Sequence, residues 1–255
     1  MREFIENLYN RNELLFWFGA ANLLFAIILI VVSRFSSLEV MGVNAWYKPI
    51  KFALSTCIFS WAMGWYIHYL GTGAGMKAYS WGVVILLGFE VIYIAIQAGR
   101  GMLSHYNVST PFYGLMFNLM ALAATAITLW TAYIGLLFFA KQFPDLPNAY
   151  LWGIRLGILL FVVFSFEGFV MGARMSHTVG GPDGGTGLPF LNWSRKYGDP
   201  RIAHFIGMHA LQVLPLAAFY LLRNVKLIFA FALIYGLLAV YVLLQALNGK
   251  PFIKY

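Results

Sequence analysis

Apolar runs of about 20 residues recur along this chain, separated only by short charged or Gly/Pro-containing connections, and few folds accept such a pattern. A run of that length crosses the ~30 Å hydrocarbon layer of a bilayer as a helix, because lipid offers no partner to a free backbone N–H or C=O. The punctuation places spans near 14–32, 50–70, 80–98, 113–140, 149–174, 201–222 and 227–247. The expected fold is therefore all-α, a polytopic membrane helix bundle of about seven transmembrane helices. The runs fill most of the 255 residues, so one transmembrane domain over 1–255 is expected, with no soluble domain. Composition agrees: 61% of residues are hydrophobic and 10% charged, against roughly 25% charged in an average soluble protein.

Start signals support several spans. Pro49 suits a first helical turn, Thr110 and Pro111 precede the fourth span, and Asp199 with Pro200 reads as the cap and first position of the sixth. The N-terminal residues carry Glu3, Glu6 and Glu13 without a basic leader or a small-residue cleavage site, so the first apolar run is expected to stay. Cys57 is the single cysteine, which excludes an intrachain disulfide and a CxxC pair.

The net charge of +8 has a membrane explanation, since the basic residues flank span ends; nucleic acid is not an expected partner. Arg2, Arg11, Lys77, Lys141, Arg223 and Lys226 fall on one side of the bundle. Arg34, Lys48, Lys51, Arg100, Arg174, Arg195, Lys196, Arg201, Lys250 and Lys254 fall on the other. Ten against six predicts the N-terminus out and the C-terminus in, with the second group cytoplasmic. A multi-pass protein of a bacterial inner membrane is the expected setting.

Of nine acidic residues, seven lie in tails or loops, while Glu90 falls within the third span and Glu167 within the fifth. A carboxyl at bilayer depth is costly unless neutralised, paired or metal-bound, so each marks a candidate site. At ~1.5 Å per residue, both lie roughly 10 to 12 Å from the cytoplasmic end, and His209 reaches a similar depth. Glu90, Tyr93, Gln97 and Arg100 share one face of the third span. Glu167, Met171 and Arg174 form a similar stripe on the fifth, and Arg201, His204, Met208 and Gln212 one on the sixth. His105 and His177 lie just past the cytoplasmic ends of the third and fifth spans. The expectation is one cytoplasmic-side pocket around Glu90, Glu167 and His209.

Two stretches read Glu, then Arg, Met and Ser-His: Glu90 with Arg100, Met102, Ser104 and His105, and Glu167 with Arg174, Met175, Ser176 and His177. They raise the expectation of a duplication relating the helix pairs 80–140 and 149–222, with the site at the repeat interface. The connection between the fifth and sixth spans is rich in glycine, reads as a flexible cover, and holds no phosphate-loop pattern.

Histidine and carboxylate together are ordinary ligands of iron or zinc. The first functional expectation is therefore a membrane-embedded metal- or haem-binding protein acting as an oxidoreductase or metal-assisted hydrolase. His209, His204, His105 and His177 would hold iron, zinc or haem b, and Glu90 and Glu167 would act in catalysis. Arg100, Arg174, Arg201, Gln97, Gln212 and Tyr93 would bind a lipophilic substrate or one with an anionic headgroup, and membrane lipid is the expected surrounding partner. The alternative is a proton-coupled transporter using the two intramembrane glutamates, against which stands the scarcity of polar residues in the extracellular half of the spans. Helix number alone resembles the microbial rhodopsins and the alkaline ceramidases. No lysine lies deep in any span to form a retinal Schiff base, and the last span lacks the paired histidines of the ceramidase zinc site.

Overall fold

The computed structural model describes residues 2–185 and 187–254. A short helix, α1 (Arg2–Arg11), precedes seven long ones: α2 (Glu13–Phe35), α3 (Tyr47–Ile67), α4 (Ala74–Gly99), α5 (Pro111–Ala140), α6 (Asn148–Arg174), α7 (Arg201–Ala217) and α8 (Val225–Leu247). A two-residue antiparallel pair, β1 (Glu39–Val40) and β2 (Val43–Asn44), joins α2 to α3. The long helices match the expected spans to within about a turn except at the start of α4, which begins six residues early, and the last turn of the sixth span, which is a π turn. The short, amphipathic α1 and the β pair were not among the expected elements.

Among the described residues six helices are long and apolar enough to cross a membrane: α2, α4, α5, α6, α8, and α7 with its continuation to Leu222. The chain is thus an integral, multi-pass helical membrane protein. The count of seven rests on α3, which has 21 residues but carries Lys48, Lys51, Ser55, Thr56 and Ser60. It packs against both α2 and α4, so its polar positions need not all meet lipid: Thr56 and Ser60 are buried.

Cap chemistry sets several boundaries. The Asn12 side chain accepts from Leu15 N at 2.9 Å to open α2, Thr110 Oγ1 accepts from Tyr113 N at the start of α5, and Asn224 Oδ1 accepts from Lys226 N at the start of α8. Pro215 lies inside α7 and has no N–H to give, and the helix widens soon after it into a π turn over Ala218–Leu222.

The chain divides into two compact units, residues 1–127 and 128–255, with the boundary inside α5. In the first unit α2 lies tightly on α3. Gly19 leaves room there for the Trp61 indole, whose Nε1 donates to Phe16 O at 3.1 Å. In the second unit α6 lies tightly on α7, and glycines set the approach. A Cβ at Gly157 would stand 2.8 Å from Ala210 O, one at Gly153 2.9 Å from Ala218 Cβ, and one at Gly207 would overlap the Phe164 ring. Small residues let membrane helices pack backbone to backbone, where dispersion contacts replace the missing hydrophobic drive.

Candidate functional site: a buried carboxyl beside an imidazole

In the second unit, Glu167 of α6 and His204 of α7 come together. Glu167 is buried, and its Oε2 lies 3.3 Å from His204 Nδ1. The reason is local: Gly168 has no side chain, and a Cβ there would sit 3.1 Å from His204 Cε1, so the glycine opens the slot the imidazole occupies. The distance is that of an ion pair, but the alignment falls short of a hydrogen bond. Both Glu167 oxygens and His204 Nδ1 are therefore buried without a hydrogen-bond partner. At this separation a small rotation of either group completes the bond.

The two partners differ in access. The Glu167 side chain is 5% exposed and that of His204 29%, and His204 lies three residues beyond Arg201, in the first turn of α7. An ionised carboxylate only accepts hydrogen bonds, so the contact is favourable when one proton resides on the pair, either as imidazolium with carboxylate or as carboxylic acid with neutral imidazole.

His209, one turn further along α7, partners a different group: its Nδ1 lies 3.3 Å from Gln212 Oε1, and its ring stands edge-on to Phe205 with centroids 4.2 Å apart. Arg201 is committed to Asp199, with Nε to Oδ1 at 2.8 Å, and its Nη2 also donates to Asn192 O at 2.6 Å. Arg174 is exposed at the end of α6.

The connection from 175 to 200 is less free than its glycines suggest. Asp183 accepts from Ser176 Oγ, Thr178 Oγ1 and the backbone N–H groups of His177 and Thr178, at 2.7 to 2.9 Å. His177 Nδ1 lies 2.8 Å from Asp183 Oδ2 and must carry hydrogen there. Burial alone would raise the Asp183 carboxyl, but the side-chain and backbone hydrogen bonds from His177, with that from Ser176, outweigh it and hold the group well below the usual carboxylate range. Asp199 accepts from Ser194 N at 2.8 Å and from Arg201 N at 3.2 Å, so it ties the loop's end to the start of α7.

In the first unit, Glu90, Tyr93 and Gln97 of α4 are all buried. Gln97 Nε2 donates to Tyr93 Oη at 2.7 Å, whereas Glu90 Oε1 and Gln97 Oε1 have no hydrogen-bond partner. Arg100 is exposed beyond the helix end, its guanidinium 5.8 Å from the Tyr113 ring centre. His105 lies near Phe52, with Ser104 Oγ 3.2 Å from its Nδ1.

Among the described residues no group of three or more His, Cys, Asp or Glu side chains gathers in a way that could hold a metal ion. One ionisable residue within a span escaped the sequence reading, which counted basic residues only in the connections. Arg155 lies seven residues into α6, roughly 10 Å from its start. It occupies the half of the span expected to hold few polar groups, and its position in an apolar run was the available signal. Compared with known proteins, the chain matches no protein-family model, no curated protein and no solved structure.

Proposed function

We propose that this protein is a proton-coupled membrane transporter in which Glu167 stores a proton and His204 exchanges it with the aqueous side. The supporting observation is a buried carboxyl without hydrogen bonds, 3.3 Å from a histidine more exposed than itself. The step balances simply: imidazolium Nδ1–H gives its proton to the Glu167 carboxylate, leaving a neutral acid and a neutral imidazole that recharges from water. Neutralisation is what lipid demands of a carboxyl that moves or is exposed to it. Glu90, buried in the first unit, is a second intramembrane acid, but among the described residues no imidazole pairs with it. A bacterial inner membrane, with a proton gradient across it, is the setting we propose.

The metal- or haem-centred reading has less behind it, because among the described residues no third His, Cys, Asp or Glu joins Glu167 and His204, and His209 Nδ1 lies 3.3 Å from Gln212 Oε1. Arg155 also weakens the argument against transport, since it adds a charge to the half of the spans expected to hold few polar residues.

The test is proton flux in proteoliposomes holding a pH-sensitive dye, driven by a potassium diffusion potential with phosphate or succinate on one side. Wild-type protein is expected to carry protons, with Glu167→Gln at least tenfold slower and His204→Gln slower by a smaller factor. Flux in Glu167→Gln equal to that of wild type would sink the proposal.

A further inference from the structure

Arg155 is held in place by one of its donors, Nε, and left with its Nη donors unused. Its Nε donates to Phe138 O at 2.9 Å, and its guanidinium carbon lies 4.9 Å from the Trp152 ring centre and 5.3 Å from that of Phe139. These contacts fix the plane of the group. Among the described residues no carboxylate pairs with it, and neither Nη nitrogen has a hydrogen-bond partner.

The residue lines a cavity of about 410 Å³ in the second unit, together with Phe139, Lys141, Gln142, Phe143 and Asn148. Two cations and two amides border this space, and no acid does; Asp145, the one acid of the 141–147 connection, is not part of the lining. Asn148 also opens α6, whose first turn presents the positive end of the helix dipole to the same region. An arginine in an apolar span is costly to keep, and an unpaired one is best explained by a partner that arrives from outside. Its planar fork matches the two oxygens of a carboxylate or phosphate.

We infer that this cavity is an anion site, in which Arg155 grips a carboxylate or phosphate group bidentately and Lys141 adds a second charge. Arg155 and Glu167 stand twelve residues apart on α6, roughly 18 Å along its axis. The cation lies near one end and the proton-handling acid near the other. The inference supplies the proposed transporter with its cargo class and rests on that reading only for the role of cargo, not for binding. The same chemistry is offered by a soluble anion and by the headgroup of an acidic phospholipid.

Thermal unfolding of the full-length protein in nanodiscs, followed by tryptophan fluorescence, tests this. One arm uses phosphatidylcholine alone, titrated with inorganic phosphate or succinate against chloride at equal ionic strength; the other replaces part of the lipid with phosphatidylglycerol. Saturable stabilisation in the first arm identifies a soluble anion, and stabilisation only in the second identifies a headgroup. Either result supports the site if Arg155→Gln weakens the effect at least tenfold and Lys141→Gln about threefold. Arg155→Lys keeps the charge but loses the fork, so a severalfold loss is expected there too. Arg155→Lys and Lys141→Gln carry the test alone if Arg155→Gln does not fold. Stabilisation absent in both arms, or unchanged in the variants that fold, overturns the inference. Glu167→Gln is expected to keep full anion binding while losing proton flux, so failure of the anion site and failure of proton coupling are read separately.

Discussion

Each unit buries one glutamate within a long helix, yet the two carboxyls meet different surroundings. Glu90 has Tyr93 and Gln97 on its own helix, and these two bond each other while Glu90 Oε1 stays unpartnered. Glu167 faces an imidazole from the neighbouring helix at 3.3 Å. Both can be neutral in lipid, but only Glu167 has an adjacent base able to take its proton and pass it on. The connections differ in the same sense. The one between α2 and α3 is organised by a neutral side chain: Asn44 Nδ2 donates to Ser33 O at 3.0 Å, and its Oδ1 accepts from Trp46 N at 3.0 Å. The one between α6 and α7 is organised by two carboxylates, Asp183 and Asp199. The carboxylates with charged or imidazole neighbours described above lie in the second unit.

Substitutions sharpen this contrast. The largest effect on stability is expected at the α6–α7 interface: Gly207→Leu drives a side chain into the Phe164 ring and should cost about 3 kcal/mol or prevent folding. Thermal unfolding in detergent is the measurement, and near-wild-type stability would mean that this interface is not as tight as described.

Asp183→Asn comes next, with a loss of about 2 kcal/mol in local stability from several charge-assisted bonds. Limited proteolysis between 175 and 200 should accelerate in this variant at neutral pH. The pH dependence follows from the depressed Asp183 pKa. Its stabilisation is present above the unfolded value of about 3.9 and is lost only as pH falls through the lower folded value. Wild-type protection should therefore persist from neutrality down to about pH 4, and loss of protection near pH 6 would contradict the assignment. Asn44→Ala, the neutral counterpart, should cost about 1 kcal/mol by the same assay on residues 36–46.

The smallest effect is expected at Gly88→Ala in α4. The added Cβ meets only the Phe18 ring, with Cε2 at 3.7 Å and Cζ at 3.9 Å, ordinary contacts, so stability should hold or rise by about 0.5 kcal/mol. A clear loss would show that α4 is packed against Phe18 more closely than these distances indicate.

The spans were legible because lipid imposes length and apolarity on any helix that crosses it, and the boundaries of α5, α6 and α8 lie within about two residues of those read from hydropathy. Axial position was legible only in part: counting the rise per residue put His209 at the level of Glu167 and His204 nearer the surface, whereas it is His204 that lies 3.3 Å from the carboxyl. Rotation was not legible. Which of His204 and His209 approaches Glu167 depends on where α6 offers space, and that is set by Gly168, a residue with no chemistry of its own. The order within the glycine-rich connection was hidden for a related reason: it comes from the convergence on Asp183 of donors from residues 176–178, which composition does not reveal. Arg155 was in plain view and was passed over by counting charges only between spans.

The central claim is that Glu167 and His204 share one exchangeable proton. Difference infrared spectroscopy of the carboxyl groups during a pH titration in lipid tests it most directly, comparing wild type with Glu167→Gln, His204→Gln and Glu90→Gln. The account predicts a protonated-carboxyl signal that is absent in Glu167→Gln, titrates at a different pH in His204→Gln, and stays in place in Glu90→Gln. A Glu167 signal that titrates identically with and without His204 would contradict it.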